Sequence, residues 1–198
     1  MKEQLIISVG REFGSGGHEI AKILSEHYKI DLLDHNLLDE IAVERGLDAD
    51  TLRHLDEKHI APFVSRSVRN FSVSPEKNIA QLQFDYIEKK AAKGDSFVIV
   101  GRCSEQVLKA YDSMVSVFVL GEKHHKIQRI CELFKLSEEK AEKFMKEKDT
   151  KRKRYHNGHC EGKWGDSRNY DISVNSSVLG IEGTVAVLID FIDRKSQM

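Results

Sequence analysis

The feature that most narrows the fold is a junction near the N-terminus. The almost continuously apolar run Leu5-Ile6-Ile7-Ser8-Val9 passes straight into Gly10-Arg11-Glu12-Phe13-Gly14-Ser15-Gly16-Gly17-His18. A short β-branched apolar run reads as a strand buried on both faces, the habit of parallel sheets covered by helices. From Gly16 the spacing turns helical, with Ile20, Ile23, Leu24 and Tyr28 on one face. A strand, a glycine loop and a helix in this order bring backbone N–H groups and a helix N-terminus to bear on an anion. Glycine lets the backbone approach phosphate oxygens closely. Gly10, Arg11, Gly14, Ser15, Gly16, Gly17 and His18 are therefore the candidate phosphate-binding residues. Close packing of the turn would use the same glycines, but their place at the end of the first strand favours the phosphate.

The loop departs from the G-x-x-x-x-G-K-[ST] pattern, because Gly17 stands at the lysine position and is followed by His18 and Glu19. The backbone cradle survives without the point charge. Arg11 is the candidate replacement, since a guanidinium makes bidentate phosphate contacts; its other reading is a surface ion pair with Glu12 or Glu19. His18 either donates to a phosphate or is a solvated residue of a first helical turn.

Further apolar runs at Ile30 to Leu33, Phe97 to Val100, Met114 to Leu120 and Tyr170 to Val174 alternate with helical spacing, which predicts a parallel sheet and an α/β fold. His35 to Lys93 is charged and mostly helical in pattern, broken near Gly46, at Pro62 and around Ser72 to Pro75, and reads as an inserted helical region. A helix is expected near Leu136 to Arg154, with Ser137 as N-cap and a basic run, Lys151 to Arg154, at its end. Ile181, Val185, Leu188 and Ile192 form the stripe of a last helix that packs on the sheet.

At 198 residues the chain fits one domain, and 31 Lys and Arg against 32 Asp and Glu remove any sequence-wide attraction to nucleic acid or anionic membrane. Neither is expected as a partner, and no run approaches the length of a membrane span. The three cysteines, Cys103, Cys131 and Cys160, are odd in number and widely spaced, which favours free thiols and a cytoplasmic location.

Together with the glycine loop, two later motifs carry a resemblance: Val98-Ile99-Val100-Gly101-Arg102, and Trp164-Gly165-Asp166-Ser167-Arg168-Asn169-Tyr170-Asp171-Ile172-Ser173-Val174-Asn175-Ser176-Ser177. The sequence resembles the cytidylate kinase-like family, a branch of the P-loop nucleoside monophosphate kinases, over nearly its whole length. The resemblance implies a P-loop NTPase three-layer sandwich with a five-stranded parallel sheet in a core of 1–35, 94–148 and 170–198. It also implies a helical monophosphate-binding insertion at 36–93 and a LID at 149–169. The implied activity is transfer of the ATP γ-phosphoryl group, with Mg2+, to a nucleoside monophosphate or related small acceptor.

By the same resemblance Gly101 and Arg102 hold the acceptor phosphate, although Val100 stands where cytidylate kinases carry an aspartate. Asp34 begins the acceptor site or is simply a helix cap, and His35 and Asn36 share that ambiguity. Arg129 and Arg152 are the implied catalytic arginines, since phosphoryl transfer consists mainly of neutralising charge and holding the groups in line. Against this, Arg129 would sit on a solvated helix face and Arg152 within a surface charge cluster. The missing lysine and aspartate leave an alternative, a nucleotide-binding sensor or interaction module with little turnover. Oligomeric state is not legible, though a homodimer through the inserted helices is compatible with the sequence.

His156, His159 and Cys160 offer at most three metal ligands without a clear fourth, so they are read as solvated residues and no metal ligand is assigned. Cys103 reads as a small buried residue, Tyr170 as packing, and Trp164 as either packing or a base-stacking residue. Gly16→Val is expected to weaken ATP binding and spare the fold.

Overall fold

The computed structural model describes residues 4–34, 36–46, 48–57 and 75–197. The expected break at Pro62, most of the one at Ser72 to Pro75, and His35 lie outside these residues. Five strands, β1 (Ile6–Arg11), β2 (Asp31–Leu33), β3 (Phe97–Val100), β4 (Met114–Leu120) and β5 (Ile172–Asn175), form one sheet in the order β2-β3-β1-β4-β5. Every pairing is parallel. β1 is central, paired with β3 on one side and β4 on the other, and its apolar run is buried because both faces are covered.

Alternation along β1 divides the core in two. Ile7 and Val9 join Ile20 and Leu24 of α1 (Gly17–Tyr28) and Leu188 and Ile192 of α8 (Ser176–Lys195) on one face. Ile6 joins Leu37 and Ile41 of α2 (Leu37–Arg45), Leu52 of α3 (Ala49–Glu57) and Ile87 of α4 (Pro75–Ala92) on the other. Each large aliphatic side chain buried in this way contributes about 1.5–3 kcal/mol. The α/β sandwich with helices between β2 and β3 is the expected one, and Gly46 ends α2 in a left-handed conformation, φ 64°. Among the described residues no helix is long and apolar enough to cross a membrane.

After β3 a one-turn helix, α5 (Ser104–Val107), leads to β4, and β4 leads to a hairpin of α6 (Lys123–Phe134) and α7 (Glu138–His159). The hairpin has its own small core of Ile130, Ala141 and Met145, into which the loop residue Phe13 packs.

Three boundaries differ from expectation. β1 continues through Gly10 and Arg11, because β4 pairs with it as far as Val119. α7 runs past Arg154 to His159, since the basic run consists of good helix formers and His156 is buried beyond it. Ser137 is its N-cap by position but makes no side-chain cap bond. β5 begins at Ile172 because Ser167–Asn169 form a 3-10 turn and Tyr170 turns under Phe118, with ring centroids 4.9 Å apart.

Candidate active site

The chain leaves β1 towards β2 on one side of the sheet and leaves β3 towards β4 on the other. The crevice at the carboxyl ends of β1 and β3 is thus the switch point where open α/β sheets bind ligands. The glycine loop and the Gly101-Arg102 turn face each other there.

The loop is held from behind by packing. Gly10 lies within β1, and a Cβ there would stand 2.8 Å from the Phe118 ring. At Gly14 a Cβ would meet Ile130 at 2.9 Å, and at Gly16 it would meet Ile181 at 2.2 Å; both residues take positive φ, 86° and 77°. Ser15 turns inward: its hydroxyl donates to the Glu12 carbonyl at 2.9 Å, and its own carbonyl accepts from Ser176 Oγ at 2.6 Å. The Ser15 hydroxyl proton is thereby engaged within the loop. Gly16→Val would strain the fold itself, contrary to the expectation from sequence. The end of the C-terminal motif and the start of α8 clamp this loop: Asn175 caps α8 through Ser177 N–H, Ser176 ties the loop to β4, and Ile181, beyond the motif, covers Gly16.

Arg11 is not a surface ion pair. Glu12 bonds Lys126 Nζ at 2.7 Å, and Glu19 is taken by Arg129. Instead the Arg11 side chain crosses Gly17, where a Cβ would lie 2.5 Å from its own Cβ, and its Nη1 reaches the space beside Gly101, 2.2 Å from where a Cβ would be. Two glycines thus clear a track that carries a guanidinium from the end of β1, past the lysine position, to the end of β3. Gly101, Arg102 and Cys103 all have left-handed φ (77°, 61° and 56°). For the two non-glycine residues that conformation costs of order 1 kcal/mol or more each, and strain of this kind gathers at functional sites.

Arg102 Nη1 donates to Gln83 Oε1 at 3.3 Å, its guanidinium lies 6.0 Å from the Tyr155 ring centroid, and Tyr155 Oη also donates to Gln83 Oε1 at 3.3 Å. Arg152 Nη1 donates to the Arg11 carbonyl at 3.3 Å, and its guanidinium lies 5.3 Å from the Phe13 ring centroid. Burial, followed by the charges of Arg152 and Arg102, pulls the Arg11 pKa well below the ordinary value, with Asp149 and Asp34 opposing. Burial also lowers Arg152. Three guanidinium groups therefore converge with two carboxylates nearby. Arg129 pairs with Glu19 and lies against the glycine loop, its Cζ 3.7 Å from the Cβ position of Gly16.

His18 is neither free nor simply solvated, since its Nε2 lies 2.7 Å from Asp34 Oδ2 and joins the first turn of α1 to the end of β2. Asp34 also has the cap character weighed for it, because Asp34 Oδ1 accepts from Asn36 N–H at 3.2 Å.

Sequence reasoning assigned no role to Asp149 or Gln83. Asp149 Oδ1 accepts from the loop's Phe13 N–H at 2.7 Å, and burial raises its pKa. Gln83 is 0% exposed, and its Nε2 has no hydrogen-bond partner among the described residues. Arg102 can only donate, so the oxygen of the amide must face it and the NH2 is the orphan. A buried amide inside a helix has no local sequence signal; Asp149 lay three residues before Arg152 as the only hint.

Glu105, His156 and Cys160 also come together, their ligand atoms within 4.8 Å of one another, and Cys103 neighbours Cys160. The reading of His156 as solvated is overturned: it is buried, with Nε2 2.6 Å from Glu105 Oε1. His159 goes elsewhere, its Nδ1 2.8 Å from the Tyr155 carbonyl. Cys103 is buried as expected, while Trp164 and Tyr170 both pack on Phe118.

The family model of the cytidylate kinase-like family matches residues 6–178. The chain belongs to the cytidylate kinase-like family. A crystal structure of an uncharacterized protein from Eubacterium ventriosum ATCC 27560 is 40% identical, with a TM-score of 0.77 over 96% of this chain and 99% of that one. Shikimate kinases share the fold at low identity. That from Bacteroides thetaiotaomicron is 12% identical, with a TM-score of 0.56 over 96% of this chain and 98% of its own. That from Acinetobacter baumannii, in complex with shikimate, is 13% identical, with a TM-score of 0.55 over 96% and 93%. A search of curated proteins finds no match. The family and these neighbours give the chain a P-loop kinase fold.

Proposed function

We propose that this protein transfers the γ-phosphoryl group of ATP to a nucleoside monophosphate or a related small acceptor. The observation that carries the reading is the track of Arg11. With Gly17 at the lysine position, the side chain that needs the missing Cβ is a guanidinium lying between the loop and the acceptor turn. Its pKa is depressed by burial first and then by the charges of Arg152 and Arg102, with Asp149 and Asp34 opposing, a condition a phosphate-bearing ligand relieves. Loop amides hold the donor phosphates. Arg102 fixes the acceptor, and Arg11 and Arg152 stabilise charge on the group in transit. The new bond joins an acceptor oxygen to the γ-phosphorus as the bond to the β–γ bridging oxygen breaks, leaving ADP. An acceptor phosphate is already ionised and needs no base.

Mg2+ is a hard cation that takes carboxylate oxygens together with donor phosphates. Asp34, a carboxylate near enough to the converging guanidinium groups to act on Arg11, fits an ion that prefers oxygen and would hold it. The ion would neutralise charge on the donor phosphates.

One observation favours the alternative of a binding module: Phe13 N–H is occupied by Asp149, and Ser15 N–H points back to the Glu12 carbonyl at 3.4 Å. Incubation with Mg-ATP and a panel of monophosphates, other small acceptors and no acceptor separates the two. Acceptor-dependent ADP supports transfer. Tight ATP binding without turnover across the panel supports the module, and neither binding nor turnover removes both. Arg102→Ala should raise acceptor KM about 10-fold or more with donor KM little changed; the reverse pattern would move Arg102 to the donor side.

A further inference from the structure

We propose that Cys103, Glu105, His156 and Cys160 form a site for a divalent cation of the zinc class. The four residues come from two distant parts of the chain. Cys103 and Glu105 flank Ser104 at the turn from β3 into α5, and His156 and Cys160 lie one helical turn apart at the end of α7. Spacing of i, i+4 puts the latter two on one face, and Cys160 stays in helical register because its N–H donates to the His156 carbonyl at 2.8 Å. The ligand atoms of Glu105, His156 and Cys160 all lie within 4.8 Å of one another. The Cys103 thiol lies outside that trio but neighbours Cys160, which together with burial raises its pKa, and it supplies the fourth ligand by turning towards the ion.

Burial and donor chemistry decide between a metal site and incidental neighbours. Cys103, Glu105 and His156 are buried and Cys160 is partly so. Two sulfurs, one imidazole nitrogen and one carboxylate oxygen match a borderline-soft cation that prefers four ligands in a tetrahedron. Magnesium and calcium, which want oxygen, do not suit this set. Ligand bonds of about 2.0–2.3 Å imply tetrahedron edges of roughly 3.3–3.8 Å. The 2.6 Å contact between His156 and Glu105 is thus the hydrogen bond of the metal-free protein, which opens by under about 1 Å as both atoms turn to the ion. Binding displaces the thiol protons to solvent. Arg102 immediately precedes Cys103, and Arg152 lies one turn before His156, so the ion would pin together the two elements that present these arginines.

Cobalt titration of the full-length protein under reducing conditions tests the site. One Co2+ per chain should give a near-ultraviolet thiolate-to-metal band and intense visible bands of tetrahedral cobalt, all displaced by one Zn2+. Cys160→Ser should abolish the thiolate contribution of that residue and weaken zinc affinity about 10-fold or more. Glu105→Gln, which retains shape, should weaken it as well, with circular dichroism unchanged. Should either variant unfold, protection of Cys103 and Cys160 from a thiol reagent by one Zn2+ per wild-type chain gives an independent readout. The proposal is overturned by absence of the thiolate band, by a band of undiminished intensity in a folded Cys160→Ser variant, or by zinc failing to protect the two thiols. A Cys103–Cys160 disulfide with no metal uptake by the reduced protein would also overturn it, assigning the pair to thiol chemistry.

Discussion

The two walls of the crevice are built by different means. The loop wall is held by packing: Ile130 behind Gly14, Ile181 behind Gly16, and Ser176 bonded to the Ser15 carbonyl. The opposite wall is held by charge and strain: Arg102 in a left-handed turn, Arg11 threaded between two glycines, and Gln83 with an idle amide. The first wall is complete without a ligand. The second carries guanidinium repulsion and an unsatisfied donor, both of which a bound anion would relieve, so substitutions there should affect chemistry more than folding.

The largest effect should come from removing the threaded guanidinium. Arg11→Ala is expected to lower kcat by about 10²–10³-fold, as loss of a preorganised donor does elsewhere, with Tm unchanged or raised. Arg11→Lys should recover only part, lacking the planar fork. Steady-state kinetics and a melting curve check both, and retention of full activity by Arg11→Ala would erase the difference between the walls. Next comes Gly101→Ala, whose methyl group must push aside Arg11 Nη1; a drop in kcat of about 10-fold is expected, with a stability loss of about 1–2 kcal/mol from the positive φ. Combined with Arg11→Ala it should cost no further activity, because the two act on one group.

A smaller effect is expected at Gln83. Gln83→Met keeps the volume but removes both the idle donor and the oxygen that accepts from Arg102 and Tyr155, so acceptor KM should rise about 10-fold or more, while ATP KM holds. A shift in ATP KM instead would place Gln83 against the donor.

The smallest concerns Asp149, where the packed wall carries a buried carboxyl with raised pKa. A raised folded-state pKa means the folded chain binds this proton more tightly than the unfolded chain. The resulting stability is full below the ordinary carboxylate pKa of about 4 and is lost as pH climbs through the folded value. Asp149→Asn can still accept from Phe13 and cannot ionise, so its Tm should gain on the wild type between about pH 4 and 7. A constant Tm difference across that range would mean that the charge is already fully compensated.

The sheet was legible because its strands are β-branched apolar runs at regular spacing, and the loop was legible because a glycine cluster followed the first of them. What escaped was long-range. Nothing in the order Gly10 to His18 shows that Arg11 needs Gly17 and Gly101 as clearances, since Gly101 lies ninety residues away. The end of the C-terminal motif, Asn175 to Ser177, carried the family resemblance without showing that it clamps the glycine loop. His156 and Cys160 appeared to lack a fourth ligand because Cys103 and Glu105 stand more than fifty positions earlier, beside a turn whose positive φ no propensity foretells.

Phe13 is the one aromatic residue of the glycine loop, and its ring sits against Phe134 and Phe144, with centroids 6.0 and 5.1 Å away. A swing of the α6–α7 hairpin would therefore tug directly on the main chain that is to grip the donor. In such an arrangement the gate and the grip cannot be adjusted separately: tightening the one reshapes the other, and a nucleotide's arrival would be felt at the far tip of the hairpin.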